Sequence, residues 1–162
     1  MASASALITH HHPTAQLGAV GAAFLVKLAL DRLPPEEMLP ALELETHGQV
    51  RDFDQALDRL EEALEMTSPD AALAHIGEGW VAEEAVPMAL YCFLKSPDDF
   101  LTTIRRGANT QGDSDSIACI AGGISGAYLG LRALPADWIG RLEKSDYLAD
   151  VAHRLAARQR RS

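Results

Sequence analysis

Positive charge is scarce in this 162-residue chain: 14 Lys and Arg stand against 23 Asp and Glu, a formal net charge of -9. Phosphate backbones and anionic bilayers are bound through clustered Lys and Arg, so neither nucleic acid nor a membrane surface is expected as the main partner. The one basic cluster, Arg154, Arg158, Arg160 and Arg161, reads as the solvated end of a C-terminal helix. Cysteine is almost absent. Cys92 and Cys119 sit in apolar helical patterns rather than in a CxxC pair or a disulfide framework, which points to a reducing, cytoplasmic setting and makes Cys119 an expected inert core thiol. Long hydrophobic runs are missing too: residues 17–30 are interrupted by Lys27 and look too short to cross a bilayer, and no basic leader precedes them. A soluble protein is expected. No stretch alternates with the period of a half-buried strand, and no internal repeat or low-complexity linker divides the chain.

What is present is apolar spacing of helical period almost throughout, with a hydrophobic content of 48%, enough for one all-α domain over residues 1–162. The pattern predicts helices over about 14–31, 35–44 and 52–66, a short one from Ser68-Pro69 to just before Gly77, and a buried one over 83–94 interrupted or kinked by Pro87. Ser96 is expected to cap a helix running through Arg106, with Asp98 and Asp99 in its first turn. Further helices are expected over about 114–131 and 147–158.

Between the last two of the central helices lies the chemically richest segment, Asn109-Thr110-Gln111-Gly112-Asp113-Ser114-Asp115-Ser116. Asp113, Asp115 and the Ser116 hydroxyl are hard oxygen donors of the kind that Mg²⁺ or Mn²⁺ takes. The same two aspartates also suit ordinary capping of a helix N-terminus, and spacing alone does not separate the readings. An EF-hand is excluded, because the position needing Gly holds Ala118 and the bidentate-acid position holds Ile124. A P-loop is excluded by the lack of Gly-Lys-Ser/Thr.

Residues 109–130 resemble the signature of the ADP-ribosylglycohydrolase family, related to dinitrogenase-reductase-activating glycohydrolase. The matching residues are Asn109, Gly112, Asp113, Asp115, Ser116, Ile117, Ala118, Ile120, Gly122, Ile124, Gly126 and Ala127; Gln111 replaces a Gly and Ser116 the more usual Thr. Further likenesses are Thr9-His10 ahead of a small-residue helix, Gly77-Glu78-Gly79-Trp80, and Pro135-Ala136-Asp137-Trp138. The resemblance implies an all-α orthogonal helical domain corresponding to the second half of the family fold. It implies half of a dinuclear Mg²⁺ site at Asp113, Asp115 and Ser116, with Asp115 bridging, and contacts to ADP-ribose from His10, Gly79 and Trp80.

Each secondary match has a plainer reading: His10-His11-His12 as a solvated turn, Trp80 as a core aromatic, Glu83 and Glu84 as first-turn carboxylates with Glu83 a weak candidate for ribose contact. The family's early Gly-Asp turn, its catalytic acid and its Thr/Ser-Asp-Asp motif do not occur in residues 1–162, so the catalytic group is unassigned and the site is expected to be incomplete. The resemblance therefore implies metal-dependent hydrolysis of ADP-ribosyl glycosidic bonds once another chain, or an N-terminal segment outside residues 1–162, completes the site; in an inactive fragment, the apolar surface left uncovered would instead drive self-association. The competing readings are a non-catalytic ADP-ribose or nucleotide-binding module and an inactive fragment.

Overall fold

Helix boundaries follow the apolar spacing closely in the computed structural model, which describes residues 1–159; Arg160 and Arg161 lie outside the described residues. Among the described residues there are ten α-helices and no strand: α1 (Ala2–Ala6), α2 (Pro13–Leu30), α3 (Pro35–Thr46), α4 (Arg51–Leu64), α5 (Pro69–Ile76), α6 (Ala82–Leu94), α7 (Phe100–Ala108), α8 (Ser114–Leu129), α9 (Ala136–Arg141) and α10 (Ser145–Gln159). The all-α expectation is met. Helix α4 shows why the pattern was readable: Phe53, Ala56, Leu57, Leu60 and Ala63 form one buried stripe, while Asp52, Asp58, Glu61 and Glu62 face solvent.

The centre of the molecule is α6, buried on every side from Ala85 to Phe93 and packed against α2, α4 and α8. A helix apolar all round has to lie inside a bundle. Pro87 does not interrupt it: the N–H it lacks would have served the Glu83 carbonyl in the first turn, where the ladder is only beginning. Helix α2 reaches 18 residues with a mean hydropathy of 1.4, the length and composition of a minimal bilayer span, so residues 17–30 understated it. Here it packs on α6 and α8, with Leu17, Leu25, Leu28 and Ala29 buried. Glycines let these helices meet closely: a β-carbon on Gly18 would stand 2.6 Å from Cβ of Ala82.

Two local expectations are corrected. The cap of α7 is Asp99, whose carboxylate accepts the Thr102 N–H at 3.0 Å and the Thr102 hydroxyl at 2.6 Å. These bonds, the hydroxyl first, hold Asp99 below the usual carboxylate range. Ser96 is drawn elsewhere: a turn closes from the Asp99 N–H to the Ser96 carbonyl, and the Ser96 hydroxyl donates to the Cys92 carbonyl at 3.2 Å while accepting from Arg106 at 2.8 Å. The Pro97-Asp98 turn thus displaces the helix start by three residues.

The second correction concerns Cys119, which is exposed rather than a core thiol, because α8 turns that face away from α6 and α7. Cys92 is the buried one, and burial pushes its thiol up to about 12. A thiol reagent at neutral pH is expected to modify one cysteine per native chain, Cys119, and to reach Cys92 only on unfolding. Two equally fast thiols would contradict the packing of α6. The raised value also sets a sign for alkaline stability. Between the ordinary value of 9.0 and about 12 the unfolded chain has lost a proton that the native one keeps, so the contribution is complete below pH 9 and is lost as pH rises through that window.

Candidate functional site

Helix α8 begins at the donor segment, where Asp113 occupies the N-cap position and the Ile117 N–H closes the first turn on its carbonyl at 3.1 Å. The Asp113 side chain makes no capping hydrogen bond. Ordinary capping therefore does not account for its carboxylate. That group instead lies within hydrogen-bonding reach of Asp115; this interaction first, then the backbone N–H groups of Asp115 and Ser116, holds Asp115 below the ordinary carboxylate range. Asp115 is exposed, with Asp113 and Ser116 half-buried beside it. Two carboxyl groups and a hydroxyl gathered at a helix N-terminus fit a hard divalent cation in kind, though in number they supply only about three of the roughly six oxygens such an ion takes. Among the described residues no three His, Cys, Asp or Glu side chains converge as a metal-binding group.

A second segment is fastened to the first. The Asp113 N–H donates to the Glu78 carbonyl at 2.9 Å, and Gly112 lies so close to that carbonyl that a β-carbon there would overlap the oxygen. Gly79, at φ +82°, presses against Ile117 of α8: a β-carbon would stand 2.7 Å from Cδ1. The turn carrying these residues is shaped by Glu84 in the first turn of α6. One of its carboxylate oxygens accepts the N–H groups of both Glu78 and Gly79, each at 3.0 Å. A Glu at the third helical position often reaches back to the capping residue; this one reaches further, to the loop before it.

Trp80, at the end of this turn, is 67% exposed, and its indole N–H donates to the Glu78 carboxylate at 3.1 Å. The core-aromatic reading of Trp80 is thereby overturned. Sequence reasoning gives Glu84 only as a first-turn carboxylate, because its partners are main-chain N–H groups that no residue type announces. Glu83 makes no corresponding hydrogen bond.

The structure thus brings Gly79, Trp80, Asp113, Asp115 and Ser116 into one neighbourhood. His10 stands apart from them: it is exposed, its Nδ1 pairs with the Thr9 hydroxyl at 2.8 Å, and it borders a shallow groove of about 250 Å³ that reaches Gly18, Ala82 and Ile120. His11 and His12 are exposed as well, and His12 caps α2 through the Thr14 N–H at 3.3 Å, so the tract is a solvated turn. Behind the donor loop, a cavity of about 320 Å³ is lined by Asp70, Leu73 and Met88 together with Gly77, Asn109 and Gln111. Neither His10 nor Trp80 lines it.

The sequence of residues 1–162 matches the family model described as ADP-ribosylglycohydrolase over its whole length. The chain belongs to the ADP-ribosylglycohydrolase family. Its relatives include ADP-ribosylhydrolase ARH3 of Bos taurus, 32% identical over 93% of this chain and 50% of the bovine one, and ARH3 of Mus musculus, 31% identical over the same shares. An uncharacterized protein of Archaeoglobus fulgidus is 32% identical over 95% of this chain and 49% of its own. The chain therefore spans about half the length of the curated relatives it matches. For an ADP-ribosylglycohydrolase half of this kind, the all-α architecture is the one the family fold calls for.

Proposed function

We propose that residues 1–162 form the metal-holding half of a cytoplasmic enzyme that hydrolyses ADP-ribosyl glycosidic bonds, completed by a segment or chain outside these residues. The observation that supports it most directly is the joint between the two loops, which ties the turn carrying the exposed ring of Trp80 to the start of the helix carrying Asp113 and Asp115. Asp113, Asp115 and Ser116 would hold Mg²⁺ or Mn²⁺ through their carboxylate and hydroxyl oxygens. Bound there, such ions supply Lewis-acid stabilisation and a fixed, activated water.

The chain's own residues do the positioning. Trp80 offers a flat apolar face, held in place through its N–H on Glu78, against which a nucleotide base or ribose can stack. Gly79 presents bare backbone beside it, and Glu84 keeps both in position. His10 would meet the ADP-ribose from the far side of the α2–α6 groove. The two unpaired thiols accord with a reducing compartment.

The competing reading, a module that binds ADP-ribose or a nucleotide without cleaving it, is favoured by one fact: the donors in residues 1–162 amount to half a coordination sphere. Calorimetric titration with Mg²⁺ and ADP-ribose, alone and in the presence of a fragment carrying the family's Thr/Ser-Asp-Asp motif, separates the two. ADP-ribose release from a modified substrate in the mixture supports the hydrolase; tight binding with no release supports the module. Asp115→Ala is expected to weaken Mg²⁺ binding by at least about tenfold, the lower end of what losing even an outer-sphere partner costs a metal site, while leaving the helical circular dichroism unchanged. Unaltered Mg²⁺ affinity in that variant would sink the metal assignment.

A further inference from the structure

A broad depression lies away from the donor loop, none of whose residues line it. A groove of about 660 Å³ runs between α3, the end of α4 and the end of α6, with Leu39, Leu64 and Leu94 in its floor and Tyr128 of α8 at one end. Its rim is acidic: Glu36, Glu61, Glu65 and Asp98 are all exposed, and none is in an ion pair among the described residues. Two cations stand near it, Lys95, whose ammonium is held by the Leu64 carbonyl at 3.2 Å, and Arg32, over the Tyr128 ring at 5.6 Å. Carboxylates still outnumber them two to one.

Helix α10 is the complement of this groove. It packs on the short α9 and carries an uncovered stripe: Tyr147 and Leu155 are each 63% exposed, with Val151 between them. Arg154 and Arg158 lie on the same face, four residues apart. Glu61 and Glu65 at the end of α4 are also four residues apart, so both pairs have a spacing of about 6 Å along a helix. Apolar stripe can meet apolar floor while two guanidiniums meet two carboxylates. The existing Arg154–Asp150 pair, at 3.6 Å and well exposed, is weak enough to exchange at little cost.

We infer that α10 of one copy of this chain seats in the acid-rimmed groove of a second copy, Arg154 and Arg158 facing Glu61 and Glu65. Exchange in both directions closes the assembly as a two-fold dimer with the same contact made twice.

Sedimentation velocity over a wide concentration range tests this on the whole chain. Wild type is expected to pass from monomer to dimer. The variant Arg154→Glu/Arg158→Glu and the variant Glu61→Arg/Glu65→Arg are each expected to dimerise about a hundredfold more weakly, because each sets like charges opposite one another at two positions. Mixing the two variants restores both contacts, one in each charge sense, so the mixture is expected to dimerise near the wild-type constant. Circular dichroism of each variant confirms that it is folded. Wild type monomeric at every concentration, an open series of larger species, or dimers indifferent to either reversal would overturn the inference, as would a mixture that stays monomeric.

Discussion

Gly112→Ala is expected to lower the melting temperature by about 2–12 °C and, if the start of α8 holds Mg²⁺ as proposed, to abolish that binding. The added methyl has nowhere to go. Its position overlaps the Glu78 carbonyl, which is backbone and cannot rotate aside like the tip of a long side chain. Inserting a carbon into a filled space typically costs about 1–3 kcal/mol, and a domain of this size loses roughly 2–4 °C per kcal/mol. Relief must come from pulling residues 109–113 away from the Gly77–Trp80 turn, which breaks the bond from the Asp113 N–H to Glu78. Amide hydrogen exchange at Asp113 should therefore speed up before global unfolding does. A variant that melts within a degree of wild type, with the Asp113 amide still protected, would mean that the two loops are not joined as described.

Ile117→Ala should be comparably severe for a different reason. Ile117 is fully buried, and removing three carbons from a core aliphatic side chain costs about 2–5 kcal/mol, a fall of roughly 6–15 °C here. Its Cδ1 also forms the surface on which Gly79 rests. Ile124, two turns along α8, is equally buried, and no glycine of the Gly77–Trp80 turn rests on it. Ile117→Ala and Ile124→Ala should thus destabilise to a similar degree, while only the first loosens the turn. In a Trp138→Phe background the fluorescence anisotropy of Trp80, read well below the melting point, should drop for Ile117→Ala and hold for Ile124→Ala. Equal anisotropy in the two would remove Ile117 from the support of the turn.

How far the sequence carried depended on the physics of each element. Helix α4 was legible because its burial is one-sided, and a one-sided helix writes its face into the period of its residues. The start of α7 was misplaced because Ser96 and Asp99 are both good caps, and the decision between them rests on the Pro97-Asp98 turn and on Arg106, fourteen residues from its Cys92 partner. Cys119 was misjudged because α8 is rich in small residues on several faces, so period alone could not say which face lies inside. Short helices α1 and α9 were missed, being too brief for any period to register.

At the site, the donor residues were named from their chemistry and from the likeness of residues 109–130 to a family signature. Their attachment to the Gly77–Trp80 turn was not readable. It depends on a main-chain carbonyl meeting a main-chain N–H thirty-five positions away, and main-chain groups are the same in every sequence. Glu84 belongs with this class: its partners are the N–H groups of Glu78 and Gly79, so nothing in the types of those residues announces it.

The bond between Asp113 and Glu78 also has a thermodynamic reading. A solute that settles against Trp80 and an ion that settles against Asp115 both bear on one short stretch of main chain, and each is sensitive to where that stretch lies. Linkage then requires reciprocity: by whatever factor the ion changes the affinity for the solute, the solute changes the affinity for the ion. The joint through which the two would communicate is a single peptide hydrogen bond, 2.9 Å long, whose donor N–H only Asp113→Pro removes directly.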